Sequence, residues 1–187
     1  MGLIRNNFTI AYGILSSPAK TLKEIRSEKT LHALIFLIMI GAVTAFLTPL
    51  QIYLGFEDIN GLHAGGQAEV LAMDVSARYN LGVEWRPLLI EAFYVVVLTI
   101  STGYLHIIFK VARGKGSVKD TFKMIAYGDA PGLIFGWIPY LATFSAVWAA
   151  VIQILIGSTA IHEISWTKAI IIFAAILGLG IIDIALS

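Results

Sequence analysis

Asp129 is the residue whose surroundings most demand a chemical explanation. From Thr121 to Ile156 the chain is apolar for 36 residues apart from Lys123 and Asp129. Counted from Asp120, Asp129 lies nine helical rises away, about 13–14 Å, near the middle of a segment that reads as lipid-embedded. A carboxyl group at that depth is costly unless it is protonated, hydrogen-bonded or facing a wet cavity. The chemistry open to it is a place on a path for ions, protons or small solutes, whose sign is unreadable because either ionisation state of Asp129 fits the sequence. Tyr127 sits beside it, and Tyr94, Ser101, Thr102, Tyr104, Thr143 and Gln153 on other apolar segments are candidate partners. Gly128, Gly132 and Gly136 recur every four residues, which lines one side of a helix with a surface that permits close approach. Pro131 frees a carbonyl one turn earlier. Asp129, Tyr127, Gly128, Pro131, Gly132 and Gly136 together form the predicted intramembrane polar and packing site.

Other chemistry is largely excluded. The chain has no cysteine, so thiol catalysis and Cys-ligated zinc are ruled out. His32, His63, His106 and His162 fall near different segment boundaries, and no serine, histidine and carboxylate set forms a triad. The pair His162-Glu163 lacks the second histidine of a zincin, and His63, Glu69 and Asp74 match no ligand spacing. The segment RGKG at Arg113–Gly116 has no Walker pattern around it. No metal, no cofactor and no enzymatic activity are therefore expected. The net charge of +1 argues against a nucleic-acid partner.

The elements that must position Asp129 follow from hydropathy. Only 13% of residues are charged, about half the share of a soluble domain. Leu31–Leu54 has no charged residue across 24 positions, about 36 Å of helix against roughly 30 Å of hydrocarbon. Pro87–Phe109 forms a second span, its proline in the first turn. The apolar run from 121 would measure about 54 Å as one helix. It is divided at Trp137, Pro139 and Tyr140, giving a short third span over 121–137, with a kink at Pro131 or a re-entrant path as variants, and a fourth over 139–156. The fifth runs over 166–185, with Ser165 as N-cap. The fold class is all-α: a polytopic membrane protein with a compact bundle of five transmembrane helices and an external loop over 55–86. Within that loop, a glycine-rich stretch at 60–66 precedes a short helix over Ala68–Tyr79.

Basic residues orient the bundle. Arg5, Lys20, Lys23, Arg26 and Lys29 precede the first span, and Lys110, Arg113, Lys115, Lys119 and Lys123 follow the second. The loop between those spans carries only Arg78 and Arg86 against five carboxylates. The N-terminus is therefore expected in the cytoplasm and, after five crossings, the C-terminus outside. Residues 1–30 form a cytoplasmic lead-in. Ser17 and Pro18 start a short interfacial helix there, from which Leu22, Ile25 and Leu31 can project toward lipid; the alternative is a charged lead-in that only orients the first span. Lys20, Lys23, Arg26, Lys29, Arg113, Lys115 and Lys119 are the expected contacts to lipid headgroups or a partner. Ala142, Ala146 and Ala150, with Ala174 and Gly178, suit either internal packing or a homo-oligomer.

Residues Lys115–Tyr140, KGSVKDTFKMIAYGDAPGLIFGWIPY, resemble the central part of the Yip1 domain family, with Tyr127, Gly128 and Pro131 at family-type positions. The lead-in from Ser17-Pro18 to Ile25 is similar to that of prokaryotic members. The resemblance covers most of residues 17–186 and implies a Yip1-like membrane domain over 31–186 in a cell membrane. The eukaryotic branch is associated with the early secretory pathway and Rab-class GTPases. Its long N-terminal region and acidic-to-aromatic motif have no counterpart here, so neither Rab binding nor vesicle traffic is carried over. The expected role is non-enzymatic: membrane organisation, or recruitment of lipid or of a membrane or cytoplasmic protein through the basic face. The alternative is a small transporter or channel-like protein with Asp129 on a hydrated path.

Overall fold

The computed structural model describes residues 2–53, 66–82, 85–138 and 141–186, and every regular element in them is helical. The expected glycine-rich stretch, His63 and the Pro139–Tyr140 turn lie outside the described residues, as do the side chains of Arg86 and Asp183. The chain opens with α1 (Gly2–Ser16), a helix that its local sequence, interrupted by Asn6, Asn7 and Ser16, does not predict. It continues with α2 (Pro18–Ile25), where Pro18 occupies the first turn and Ser17 sits at the N-cap position without a side-chain bond. The next elements are α3 (Thr30–Tyr53), α4 (Gly66–Arg78) and α5 (Arg86–Val111). The run expected as one short span is α6 (Val118–Gly128) followed by α7 (Ala130–Phe135), with Asp129 at the junction. Pro131 has no N–H to continue the α6 ladder, so the interruption falls two residues before it.

The fourth apolar segment is longer than expected and irregular. It comprises α8 (Leu141–Ala150), a π-helix over Val151–Ile156 and α9 (Gly157–Ala160), ending four residues beyond the expected boundary. The last helix, α10 (Trp166–Leu186), starts after Ser165 as predicted. Leu88–Val111 and Leu141–Ala160 are long and apolar enough to cross a bilayer, and Thr30–Thr44 and Trp166–Leu179 are shorter apolar stretches.

Matched contacts along the helices give their directions. Lys123 bonds the Glu28 carbonyl, Tyr127 packs on Phe36, and Thr44 donates to the Leu133 carbonyl, so α6–α7 ascend beside α3 in parallel. In the opposite sense, Gln153 meets Asp129 and Ile125, and a Cβ at Gly157 would meet Met124, so the π-helix and α9 descend against α6. The core is built from Ile14, Phe36, Phe109, Met124, Tyr127 and Ile152, each fully buried.

The outer faces carry the opposite signal. Val96, Ile100, Tyr104, Ile107 and Val111 form a stripe along α5, each more than half exposed, and Ile170, Ile171 and Leu179 do the same on α10. Apolar stripes of that extent are covered by lipid in a membrane protein. Leu22 and Ile25, expected to face lipid, instead lie in the protein core at 0% and 2% exposure. Burying two such side chains stabilises the docking of α2 by about 1.5–3 kcal/mol each. On α8 the buried stripe is Ala142, Ser145 and Ala149, not Ala142, Ala146 and Ala150. On α10, Ala174 is exposed and a Cβ at Gly178 would meet nothing within 4 Å.

Candidate functional site

The break between α6 and α7 presents Asp129 to the π-helix. Gln153 Nε2 donates to Asp129 Oδ1 at 3.2 Å and to the Ile125 carbonyl at 3.4 Å. One amide thus serves both a carboxyl group and the Ile125 carbonyl, which also accepts from the Asp129 amide at 3.0 Å. The extra residue per turn in a π-helix shifts side-chain register, a device common at functional sites. Gly128 makes the approach possible: a Cβ there would lie 2.8 Å from Gln153 Cγ. A Cβ at Gly132 would sit 3.4 Å from Asp129 Oδ1, while Gly136 ends α7. The three glycines therefore do not form one continuous helical stripe, because the helix is interrupted between the first and second. Pro131 is buried in the first turn of α7, and Tyr127 points away from Asp129 onto Phe36, with ring centroids 4.8 Å apart. Glu91 Oε1, Tyr94 Oη and Tyr127 Oη are buried without a hydrogen-bond partner among the described residues. Of the partners proposed for Asp129, Gln153 is the one that meets it.

A second polar network closes the end of the bundle where 26–29, 110–123 and 159–168 converge. Ser117 caps α6 reciprocally: its Oγ accepts from the Asp120 amide at 3.3 Å, and Asp120 Oδ2 accepts from the Ser117 amide at 3.0 Å. Burial pushes the Asp120 carboxyl up, but the Ser117 bonds and Lys123 outweigh it and leave it below its ordinary 3.8. Lys123, expected as an ordinary basic linker residue, is buried at 4% exposure. Its Nζ lies 3.2 Å from Asp120 Oδ1 and donates to the carbonyls of Arg26 and Glu28. It thereby fastens the C-terminal end of α2, where carbonyls lack helical partners.

The histidines also depart from expectation. His106 Nδ1 and His162 Nε2 both reach Thr121 Oγ1, at 2.8 and 3.0 Å, so two of the four share one hydroxyl. Burial first, then neighbouring His106, Lys110 and Arg26, hold the His162 imidazole down at about 4, with Asp120 opposing. Its Nδ1 has no partner among the described residues, and a Cβ at Gly116 would lie 2.7 Å from it. The loops are joined by the Lys115 amide donating to the His162 carbonyl at 2.8 Å. Gly114 turns tightly, since a Cβ there would lie 2.8 Å from the Phe109 carbonyl oxygen.

The expected headgroup contacts divide in two. Arg26 and Lys115 converge on Glu163, at 3.4 and 2.9 Å, while Lys20 is exposed and 3.9 Å from Glu24. Hydrogen bonding to Lys115 is the main cause of a Glu163 carboxyl below its ordinary range. Lys23, Lys29, Arg113 and Lys119 are exposed. Lys23 and Arg26 form one wall of an open groove of about 530 Å³, whose other wall is Thr159, Glu163, Ser165 and Trp166.

Among the described residues no group of three or more His, Asp or Glu could hold a metal ion. Neither the curated proteins nor the solved structures provide a match to the chain. The family model described as Yip1 domain matches residues 12–187, nearly the whole sequence. A helical chain with apolar outer faces, a polar closed end and this match belongs to the Yip1 domain family, non-enzymatic multi-pass membrane proteins involved in membrane trafficking.

Proposed function

We propose that this chain is a prokaryotic-type Yip1 domain protein of the cell membrane that organises membrane, or recruits a lipid or protein partner, through its basic cytoplasmic face. The single observation that carries this reading is the convergence of α2, the 113–117 loop and the 161–165 loop at one end of the bundle, directly above the exposed apolar stripes. In this reading the lead-in 1–30 docks on a membrane domain over 31–186. The parallel course of α3 and α6–α7 and the opposite course of the π-helix and α9 support alternating crossings, five of which put the N-terminus in the cytoplasm and the C-terminus outside. Reconstitution with photocrosslinkers at Lys29 and Lys119 tests it. Specific lipid or protein adducts are expected, and none above a scrambled-site control refutes the role.

A second reading has its own observation. The helix break at Asp129, bonded to Gln153 of a π-helix, supports a hydrated path across the bundle. Proteoliposome flux of protons and monovalent cations, compared with Asp129→Asn, tests that alternative. Flux that the substitution leaves unchanged refutes it.

A further inference from the structure

We propose that the groove between α2 and the start of α10 binds the phosphodiester headgroup of an anionic glycerophospholipid of the cytoplasmic leaflet. The proposal rests on the basic-face reading above and narrows it to one site and one ligand chemistry.

Three observations converge on it. The first is charge: Lys23 and Arg26 line one wall, and Lys23 has no ion-pair partner among the described residues. Arg26 is already turned toward a carboxylate, Glu163 Oε1 at 3.4 Å, so an anion is accommodated at that position. A phosphodiester offers the same guanidinium a forked set of oxygens. The second is depth. Trp166, 57% exposed, stands on the rim, and exposed Ile170 and Ile171 follow it down α10. An indole at the headgroup level above an apolar helix face sets the groove where a phosphate leaves its acyl chains. The third is rigidity and room. α2 is fixed by buried Leu22 and Ile25 and by the Lys123 clamp, so its two cations are presented by a docked helix. The volume of about 530 Å³ lies in the range that holds a small ligand. The first-turn amides of α10 face no helical acceptor and add a favourable dipole beside Ser165.

Glu163 is then an internal competitor for the headgroup. It holds Arg26 and Lys115 when the groove is empty and yields Arg26 when a phosphate enters. Removing its charge therefore strengthens binding, a direction that general damage to the fold does not produce.

The test is native mass spectrometry of the full chain in a neutral detergent, titrated with phosphatidylglycerol, phosphatidylcholine and glycerol 3-phosphate, with circular dichroism as the folding check. The wild type retains phosphatidylglycerol in preference to phosphatidylcholine. Lys23→Ala/Arg26→Ala weakens that binding about 30-fold, from about 1 kcal/mol per basic side chain near an anionic surface. Glu163→Gln tightens it several-fold, and Arg113→Ala/Lys119→Ala leaves it within twofold. Equal binding of the two lipids, or unchanged or weaker binding in Glu163→Gln, overturns the proposal. Glycerol 3-phosphate binding as tightly as the lipid overturns the lipid assignment in favour of a free phosphate ester. Capture of a polyglutamate peptide at Lys23 and Arg26 without phosphatidylglycerol overturns it in favour of a protein partner. Loss of lipid preference in Arg113→Ala/Lys119→Ala alone overturns the groove and leaves the basic-face reading standing.

Discussion

Replacing Lys123 with Met tests whether the end of the bundle is fastened as described. The Met side chain keeps most of the apolar stem and removes the ammonium, which is 4% exposed and serves Asp120 and the carbonyls of Arg26 and Glu28. Breaking a buried pair from one side costs about 3–5 kcal/mol, because the partner groups stay buried and uncompensated. Asp120 keeps its Ser117 bonds and is 15% exposed, which places the cost at the lower end, about 3 kcal/mol. For a chain of this size that corresponds to a melting temperature lower by about 6–12 °C. Hydrogen exchange in α2 should accelerate by about two orders of magnitude, since every 1.4 kcal/mol is tenfold. Lys23→Met, on the exposed side of the same helix, should stay within about 0.5 kcal/mol. Adding Asp120→Asn to Lys123→Met should recover part of the loss. If Lys123→Met melts within 0.5 kcal/mol of the wild type and α2 exchanges unchanged, the clamp is not what holds the lead-in down. The pH dependence has a definite sign. A carboxyl held below 3.8 in the folded protein gives a stabilisation present above that value and lost as pH falls through the folded value, so acid below about pH 4 should mimic the substitution.

Other measurements probe other parts of the molecule. His162, neutral in the folded state with its pKa held at about 4 against an ordinary 6.5, should make the wild type lose stability between about pH 6.5 and 4. His162→Asn should lack that component of the melting curve, whereas an unchanged pH profile would assign it elsewhere. Gly128→Val should destabilise by about 1–3 kcal/mol through collision with Gln153, while Gly178→Ala, where a Cβ meets open space, should gain up to about 1 kcal/mol in thermal denaturation. The chain has no cysteine, so Ser27→Cys and Asn80→Cys can be labelled singly in intact cells. Membrane-impermeant maleimide should reach position 80 from outside and not position 27, and the opposite pattern would invert the topology.

How much of this was legible in the sequence depends on which forces decide each feature. Helix starts were readable where one residue type dictates the backbone: Pro18 in α2, Pro87 near the start of α5 and Ser165 before α10. The break beside Pro131 is one variant that the sequence allows, and Gln153 is one of seven candidate partners of Asp129 among which the sequence does not choose, because helix register across the bundle is set by packing. The face of α2 was not. Periodicity marks Leu22 and Ile25 as apolar, but lipid tails and a protein interior are equally apolar, so the pattern cannot say which one covers them. The same degeneracy holds on α8, where spacings of three and four both keep one face: Ala142, Ser145 and Ala149 are buried, and Ala146 is left on the outside. Helix α1 was missed because Asn6, Asn7 and Ser16 weaken local propensity, while burial of Ile10, Ala11 and Ile14 against the bundle compensates. The sharing of Thr121 by His106 and His162 joins residues 56 positions apart through a third, and no local signal announces such a meeting.

The basic residues used to orient the chain also acquire different roles once it folds. Orientation is set by Lys and Arg near the ends of each span as the chain inserts, before tertiary pairs exist, so Lys110, Lys115 and Lys123 all count toward it. In the folded bundle Lys123 is sealed against Asp120 and two carbonyls, Lys110 donates to the Gly114 carbonyl at 3.2 Å, and Lys115 lies against Glu163. The Lys123 charge is thus spent inside the protein and contributes little field at the membrane surface, whereas Lys110 and Lys115 stay exposed with one partner each. Lys23, Lys29, Arg113 and Lys119 remain exposed, and Arg26 is held only by an exposed carboxylate. Charge reversal at Lys123 should therefore lower the melting temperature, and weaken anionic-lipid binding only through release of α2. Reversal at Lys23 should weaken anionic-lipid binding while changing stability by no more than about 0.5 kcal/mol. The two effects separate because Lys123 acts through the docking of α2 and Lys23 acts on the groove directly.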